Sequence, residues 1–181
     1  MPLIKLQSEG LNLADNFAFT GTVSGAGGGI TVYDQWRLTA DTNAGTNSTV
    51  ASNWERVDST GFAYLSGVSE SSGIFTFPST GHYLLILCPR FRLYQGDYMN
   101  CDIEVTTNNS AYTSVSRAES VNLTTNSEEG FSGNAEYIVD VTDTSNVKVR
   151  LVTGSVDSNS RLRGSTSINM TSLTFIRLAD T

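Results

Sequence analysis

The chain has 181 residues, of which 39% are hydrophobic, and its 18 acidic and 11 basic residues give a formal net charge of −7. This length and apolar content suffice for one domain with a buried core, and the dispersed negative charge argues against nucleic acid or an anionic membrane surface as a partner. The N-terminal sequence MPLIKLQSEG lacks the apolar run of a signal peptide, and nothing later is long enough for a membrane span. We therefore expect synthesis in the cytoplasm and no membrane insertion.

The first predicted unit is an N-terminal arm, residues 1–29, which ends in a glycine-rich hinge. The sequence VSGAGGG at 23–29 contains too much glycine for a strand interior. It lacks the Lys-Ser/Thr pair of a phosphate-binding loop, so a flexible hinge is the better interpretation. Two short alternating pieces precede it, and a two-stranded unit is marginal in water. The arm therefore either completes the sheets of the main domain or pairs with another protein through its apolar side chains, which are Leu3, Ile4, Leu6, Phe17, Phe19 and Val23.

The remaining residues, 30–181, are predicted to form one all-β domain. Alternation with period two recurs throughout, and no window of this region carries a helical stripe. The sequence CDIEV at 101–105 alternates apolar and acidic residues, which predicts a strand with one dry and one wet face. The run LLILC at 84–88 is apolar on both phases, as expected of a strand covered by a second sheet and, in an oligomer, by a neighbour. Turn residues separate about eight to ten short strands, which indicates an antiparallel two-sheet sandwich with Greek-key connections.

The residues that could act in catalysis or bind a metal do not occur in a specific motif. His82 is the only histidine, and the chain has neither a Gly-x-Ser-x-Gly elbow nor a second histidine for a metal, so we expect His82 at a partly solvated sheet end. Cys88 and Cys101 are expected to be reduced core thiols, with a cross-strand disulfide as the alternative. We expect no catalytic residue, no metal and no cofactor.

Two larger groups of residues are open to a functional and a structural interpretation. Acidic residues near turns could form a glycosidase pair but have no distinguishing spacing: Glu119, Glu128, Glu129, Asp140 and Asp143. Large aromatic residues could form a platform that stacks on sugars, although packing in the core or at a subunit interface is favoured: Trp36, Trp54, Tyr94, Tyr98 and Tyr112.

The sequence SGIFTFPSTGHYLLIL at 72–87 resembles the signature of the complement globular-head and tumour-necrosis-factor (TNF)-like superfamily, Gly-x-Phe-x-x-Pro-x-x-Gly-x-Tyr. In the same order, YIVDVTDTSNVKVRLV at 137–152 resembles the penultimate hairpin of that superfamily, and STSINMTSLTFIRL at 165–178 resembles its closing strand. The resemblance implies a TNF-like jelly roll of ten strands that associates as a compact homotrimer. The residues that match the signature and the closing strand are Gly73, Phe75, Pro78, Gly81, Tyr83 and Phe175.

A second resemblance concerns the arm. The sequence LNLADNFAFTGTVSGAGG at 11–28 is similar to N-terminal pieces of structural and appendage proteins of tailed bacteriophages. It implies a non-enzymatic virion protein, located in the particle, that forms a trimeric fibre, appendage or decoration component and attaches to other virion proteins by adding strands to them. Such trimers could also join into higher assemblies. The alternative function is a carbohydrate-binding or receptor-binding module at the tip of a tail fibre, with a host surface glycan as its partner.

Overall fold

Short antiparallel strands make up the regular structure of the chain. The computed structural model describes residues 29–43, 48–155, 157 and 159–181, and these residues form strands and turns without a helix. The strand segments are β1 (Tyr33–Leu38), β2 (Thr42–Asn43), β3 (Ser48–Thr49), β4 (Trp54–Arg56), β5 (Ser69–Ser71), β6 (Ile74–Thr76), β7 (Gly81–Cys88), β8 (Arg90–Leu93), β9 (Tyr98–Thr106), β10 (Thr113–Val121), β11 (Glu129–Ser132), β12 (Ala135–Val141), β13 (Lys148–Ser155), β14 (Arg161–Leu162) and β15 (Ser172–Ala179).

These segments form two large sheets and one small one, all with antiparallel ladders. The first sheet has the order β12-β7-β15-β1-β4, and the second has the order β10-β9-β13-β6-β5, with β3 pairing to β13. The small sheet has the order β11-β8-β14-β2, and the chain passes directly between it and the first sheet at two bends, from β7 to β8 and from β11 to β12. Pro89 alone separates β7 from β8, and the amide of Gly133 donates to the Pro89 carbonyl at 3.0 Å where the partner strand bends. Because strands are broken at such bends, the segments outnumber the predicted eight to ten.

The core lies between the first and second sheets. Alternate residues of β7, including Leu85 and Leu87, point inward and are fully buried, and Ile103 of β9 meets them from the second sheet. Phe75 of β6 stands at one end of this core, with its ring centroid 5.3 Å from that of Phe175. The prediction of an all-β two-layer antiparallel jelly-roll sandwich is confirmed.

The signature sequence builds the connection between β6 and β7. Pro78 follows the end of β6, and Gly81 opens β7 with a φ of +140°. A Cβ at Gly81 would lie 2.6 Å from the Ala179 carbonyl oxygen, so only glycine fits between β7 and the end of β15. Tyr83 is buried, and its hydroxyl donates to the Ser79 carbonyl at 3.0 Å while it also contacts the Ser79 hydroxyl at 2.9 Å. The turn is thereby fastened to the strand that follows it.

One expected hairpin is wrong. In the segment 137–152, β12 lies in the first sheet and β13 lies in the second, so the two strands do not pair with each other. Asp143 directs the crossing, because its carboxylate accepts from the Ser145 amide at 2.7 Å and its carbonyl accepts from the Val147 amide at 2.8 Å. The connection therefore carries the chain from one sheet to the other, as a Greek-key topology requires.

The predicted arm lies almost wholly outside the described residues. Its six apolar side chains, Leu3, Ile4, Leu6, Phe17, Phe19 and Val23, belong to the residues about which the structure says nothing, and only Gly29 of the arm is described. The boundary between residues 29 and 30 stays a prediction.

Candidate assembly surface

The outer face of the first sheet carries a continuous apolar row. Four residues stand opposite one another in the register of four neighbouring strands: Ile138 of β12, Leu84 of β7, Ile176 of β15 and Tyr33 of β1. Ile138 is 56% exposed and Tyr33 is 37% exposed, while Leu84 and Ile176 are half-buried. We call these four residues the apolar row. A single copy of the chain leaves the row facing solvent.

A concave region extends the apolar row beyond β1. A cavity of about 310 Å³ lies beside Tyr33 and Ile176 and is also lined by Ile30 and Phe62. Leu65 pairs with Tyr33 through backbone hydrogen bonds of 3.0 and 3.2 Å and is itself exposed. The exposed apolar surface is therefore contiguous, which is the property that distinguishes an interaction surface from scattered surface hydrophobes.

The apolar outer face arises from the sequence of β7, which is hydrophobic at both inward and outward positions. Its inward residues are fully buried, whereas Leu84 and Ile86, on the other phase, are only half-buried. The apolar run at 84–88 thus meets the second sheet on its inner side, and its outer side is open in the single chain. This is the arrangement expected if a neighbouring subunit supplies the outer cover.

His82 lies at the beginning of β7, where the sequence placed it, and its side chain is 43% exposed. Its Nδ1 is 3.0 Å from the Asp180 carbonyl oxygen, and its Nε2 is 3.9 Å from a carboxylate oxygen of Asp140. These partners are a backbone carbonyl and a surface carboxylate. The arrangement fits a solvated residue at a sheet end.

The two cysteines are free thiols, as predicted, but only Cys101 belongs to the core. The prediction that both are core residues is wrong for Cys88, because it occupies the outward phase at the end of β7 and is exposed. Partial burial and the nearby charge of Glu136 raise the pKa of Cys88, and full burial strongly raises the pKa of Cys101.

The other candidate groups separate along the fold. Glu119 of β10 and Asp140 of β12 lie on the outer faces of opposite sheets, so these two carboxylates cannot share a glycosidase cleft. Trp36 is part of the core and Trp54 packs against it, which confirms the predicted packing role for both. Among the described residues, no group of three or more His, Cys, Asp or Glu side chains is placed to hold a metal ion, and no helix could cross a membrane.

Comparisons with known proteins give matches at the level of structure. No protein-family model and no curated protein matches the sequence. Among solved structures, the chain is similar to Eiger TNF from S. frugiperda, with a TM-score of 0.62, 11% identity and coverage of 83% of this chain and 94% of the other. It is also similar to murine APRIL, with a TM-score of 0.59, 14% identity and coverage of 81% of this chain and 98% of the other.

These likenesses extend over nearly the whole described domain. At 11% and 14% identity they concern the fold, and with the observed sheets they establish that the chain folds as a TNF-like jelly roll. The fold expected from the signature sequence is therefore confirmed.

Proposed function

We propose that this protein is a non-enzymatic structural component of a virion, which works as a homotrimer and attaches to other virion proteins through residues 1–29. The observation that carries the proposal is the apolar row on the outer face of the first sheet, together with the cavity beside it. A contiguous apolar surface of this kind favours burial against another protein surface. The occupant we propose is a second copy of this chain.

A closed trimer is the assembly that fits both the row and the fold. The TNF-like resemblance implies association around a three-fold axis, and such an axis lets each copy use the same residues without leaving an open end. Ile138 at one edge of the sheet and Tyr33 near the other would then both be covered, together with the half-buried Leu84 and Ile176. Leu84 and Ile86 in the middle of β7 would then be covered on the outer side of the sheet as well, whereas His82 and Cys88 at the ends of the strand would stay in contact with water.

Attachment to the particle is assigned to the arm. Its apolar residues alternate in short pieces, a pattern suited to strands that are added to the exposed sheet edge of another protein. The similarity of residues 11–28 to N-terminal pieces of phage structural proteins supports a virion as the location. In this proposal the head faces outward as part of a fibre, appendage or decoration.

The non-enzymatic part of the proposal is supported by the surroundings of the candidate catalytic groups. His82 contacts a backbone carbonyl and a carboxylate, and the candidate acids Glu119 and Asp140 lie on opposite faces of the sandwich. Neither arrangement resembles a nucleophile with its base or a pair of carboxylates across a cleft.

The trimer is tested by measuring mass in solution by sedimentation equilibrium. We expect three times the 19.5 kDa of the chain. Ile138→Asp places a carboxylate in the apolar row, and we expect it to shift the protein to monomers, since a charge at a buried contact costs about 2 kcal/mol or more per chain. Leu123→Asp is the matched control, because Leu123 is 84% exposed and lies outside the first sheet. A wild-type monomer would refute the trimer, and a trimeric Ile138→Asp variant would refute this interface.

The arm is tested separately by deleting residues 1–29 in the phage that carries the gene. We expect the head to remain a folded trimer in solution but to be missing from purified particles. A full-length variant with Phe17→Ser and Phe19→Ser keeps the length of the arm and removes only two of its apolar side chains. It should also be missing from purified particles, because in this proposal those side chains make the attachment. Normal incorporation of the deleted chain would refute the role of the arm and would leave the trimer untouched.

A further inference from the structure

The outer face of the second sheet, on the opposite side of the sandwich from the apolar row, has a polar concavity. The register of β10 against β9 shifts between Ser114 and Ser116, which leaves Val115 as the extra residue of a β-bulge. Beside this bulge is a cavity of about 350 Å³, lined by Asp102, Ser114, Val115, Ser116 and Arg117. We call it the bulge pocket. Bulges often re-aim side chains next to binding sites.

A guanidinium group is fixed at the wall of this pocket. Arg117 donates from Nε and Nη2 to the two carboxylate oxygens of Asp102, at 2.8 Å each, and Asn100 donates to the same carboxylate at 2.8 Å. The Asp102 side chain is only 4% exposed, whereas that of Arg117 is 54% exposed. The outward edge of the guanidinium is thus a donor surface whose position is set before any ligand arrives, which lowers the entropy cost of binding.

Aromatic side chains flank the pocket along the strand direction. Towards one end, the ring of Tyr112 lies 4.1 Å from the guanidinium carbon of Arg150, which is held by Glu104 at 2.7 Å. Towards the other end, Tyr98 of β9 is 48% exposed. Tyr98 and Glu104 are six residues apart on one strand, a distance of about 20 Å. The face is therefore long enough for an extended ligand rather than a single small molecule.

The charges of this face indicate a neutral ligand. Three carboxylates, those of Asp102, Glu104 and Glu119, share this face with three cationic groups, those of Arg117, Arg150 and Lys148. The charges balance, and each cation is already held, Arg117 by Asp102, Arg150 by Glu104 and Lys148 by the Thr144 carbonyl, so the face does not favour an anion. An apolar ligand would leave the polar lining without partners. A ring that offers hydroxyl groups at its edge and C–H groups on its face satisfies both the fixed polar groups and the tyrosine rings.

From these contacts we propose that the bulge pocket and its flanking tyrosines form a binding site for a neutral oligosaccharide. Arg117 and Ser114, which both line the pocket, would offer polar groups to ring hydroxyl groups, and Tyr98 would stack on a sugar ring at the end of the site. The site lies within one chain and does not require the trimer. The aromatic residues of the proposed site are tyrosines. The two tryptophans belong to the core or pack against it and are not part of the site.

The test begins with an array of immobilised neutral and acidic oligosaccharides probed with the labelled full-length protein. The best neutral ligand is then titrated, as the free oligosaccharide, against wild type and two surface variants. We expect Tyr98→Ala to weaken binding about tenfold through the lost stacking contact. We expect Ser114→Trp, which fills the pocket, to abolish binding. Tyr64→Ala is the control, since Tyr64 is 51% exposed, close to the 48% of Tyr98, but lies outside this face.

Each result decides the question. Binding that is lost in Ser114→Trp, weakened in Tyr98→Ala and unchanged in Tyr64→Ala supports the site. Equal binding by wild type and Ser114→Trp would place any sugar elsewhere and overturn the proposal. An array with no bound oligosaccharide, or with only acidic ones, would also overturn it. The mass of the protein in solution is unaffected by any of these outcomes, so the trimer stands or falls on its own measurement.

Discussion

Replacing Arg37 by methionine should be among the most destabilising single changes to this fold. Arg37 lies on β1 at the outer face of the first sheet, yet its side chain is fully buried. Its guanidinium donates to Glu55 at 2.7 Å and to Ser59 at 2.8 Å, and it also bonds to Asp58 and to the Thr166 carbonyl. One side chain thus joins β1 to β4, to the loop after β4 and to the segment before β15.

The size of the effect follows from what the change leaves behind. Methionine fills most of the same volume but has no group that donates a hydrogen bond, so the Thr166 carbonyl and the Glu55 carboxylate lose the donor that Arg37 supplies. Breaking a buried pair costs about 3–5 kcal/mol, but Glu55 and Asp58 are partly exposed and can be hydrated, so we expect about 3 kcal/mol. Arg37→Lys retains the charge without the planar fork and should cost about half as much.

The assay is urea unfolding followed by tryptophan fluorescence, with Trp36 in the core as the reporter. Protein concentration is held constant, because association would add to the apparent stability. The matched control is Arg163→Met, which breaks the ion pair between Arg163 and Asp41. Both side chains are about one-third exposed, so the change should cost less than about 1 kcal/mol. If Arg37→Met unfolds within about 0.5 kcal/mol of wild type, the buried guanidinium does not hold these segments together.

Three further predictions concern single sites. Gly73→Ala should lower the unfolding free energy by about 2 kcal/mol or more in the same assay, because φ is +79° and the new Cβ would collide with the Val50 carbonyl oxygen; an unchanged midpoint would refute it. In the native protein a thiol reagent should modify Cys88 and spare Cys101, and equal rates at the two cysteines would contradict this. Because the thiolate is the reactive form and burial raises the pKa of Cys88, the reaction of Cys88 should become faster as the pH rises. Burial opposes ionisation of Asp102, but hydrogen bonds from Arg117 and Asn100 and the charge of Arg117 outweigh it and lower its pKa. The contribution of Asp102 to stability should therefore be complete above about pH 4 and disappear as the pH falls through the pKa of the folded state. As the pH is lowered, the urea midpoint of Asp102→Asn should accordingly fall less steeply than that of wild type.

The alternation of apolar and polar residues predicted the layers of this fold well. In 101–105 the apolar positions Cys101, Ile103 and Val105 are buried between the sheets, as their spacing requires. The prediction that the acidic positions of this strand face water was only partly right, because Asp102 is 3% exposed. It is covered by Arg117 on the neighbouring strand, and no pattern within one strand records which residue stands opposite.

Sequence reasoning missed the residues whose partners are distant in the chain. Arg37 reads as an ordinary charged position on a strand, but it bonds to Glu55, 18 residues later, and to Thr166, 129 residues later. Asp34 is similarly buried on β1, where it accepts from Arg56 and from the Val68 amide at 2.8 Å. Local periodicity carries no information about such contacts.

The connections between strands were the other weak point. The segment 137–152 looks like a hairpin because two alternating runs flank turn residues, yet its strands enter different sheets. A turn sequence indicates where the chain changes direction but not which sheet the following strand enters. The apolar row was likewise only implied by the double-phase run at 84–88, since Ile138 and Ile176 come from strands more than 40 residues away.

The middle of the first sheet consists of β15 flanked by β1 and β7, so an early strand and the last strand of the chain are neighbours there. On a ribosome, β1 can pair with β4 soon after both are made, but its other neighbour, β15, is absent until the residues up to 179 have emerged. An unfinished chain therefore has no complete first sheet, and in the proposed trimer it would have no complete surface for another copy. A prematurely terminated copy would lack β15 and with it Ile176, so the proposed trimer would admit only copies whose synthesis had been completed.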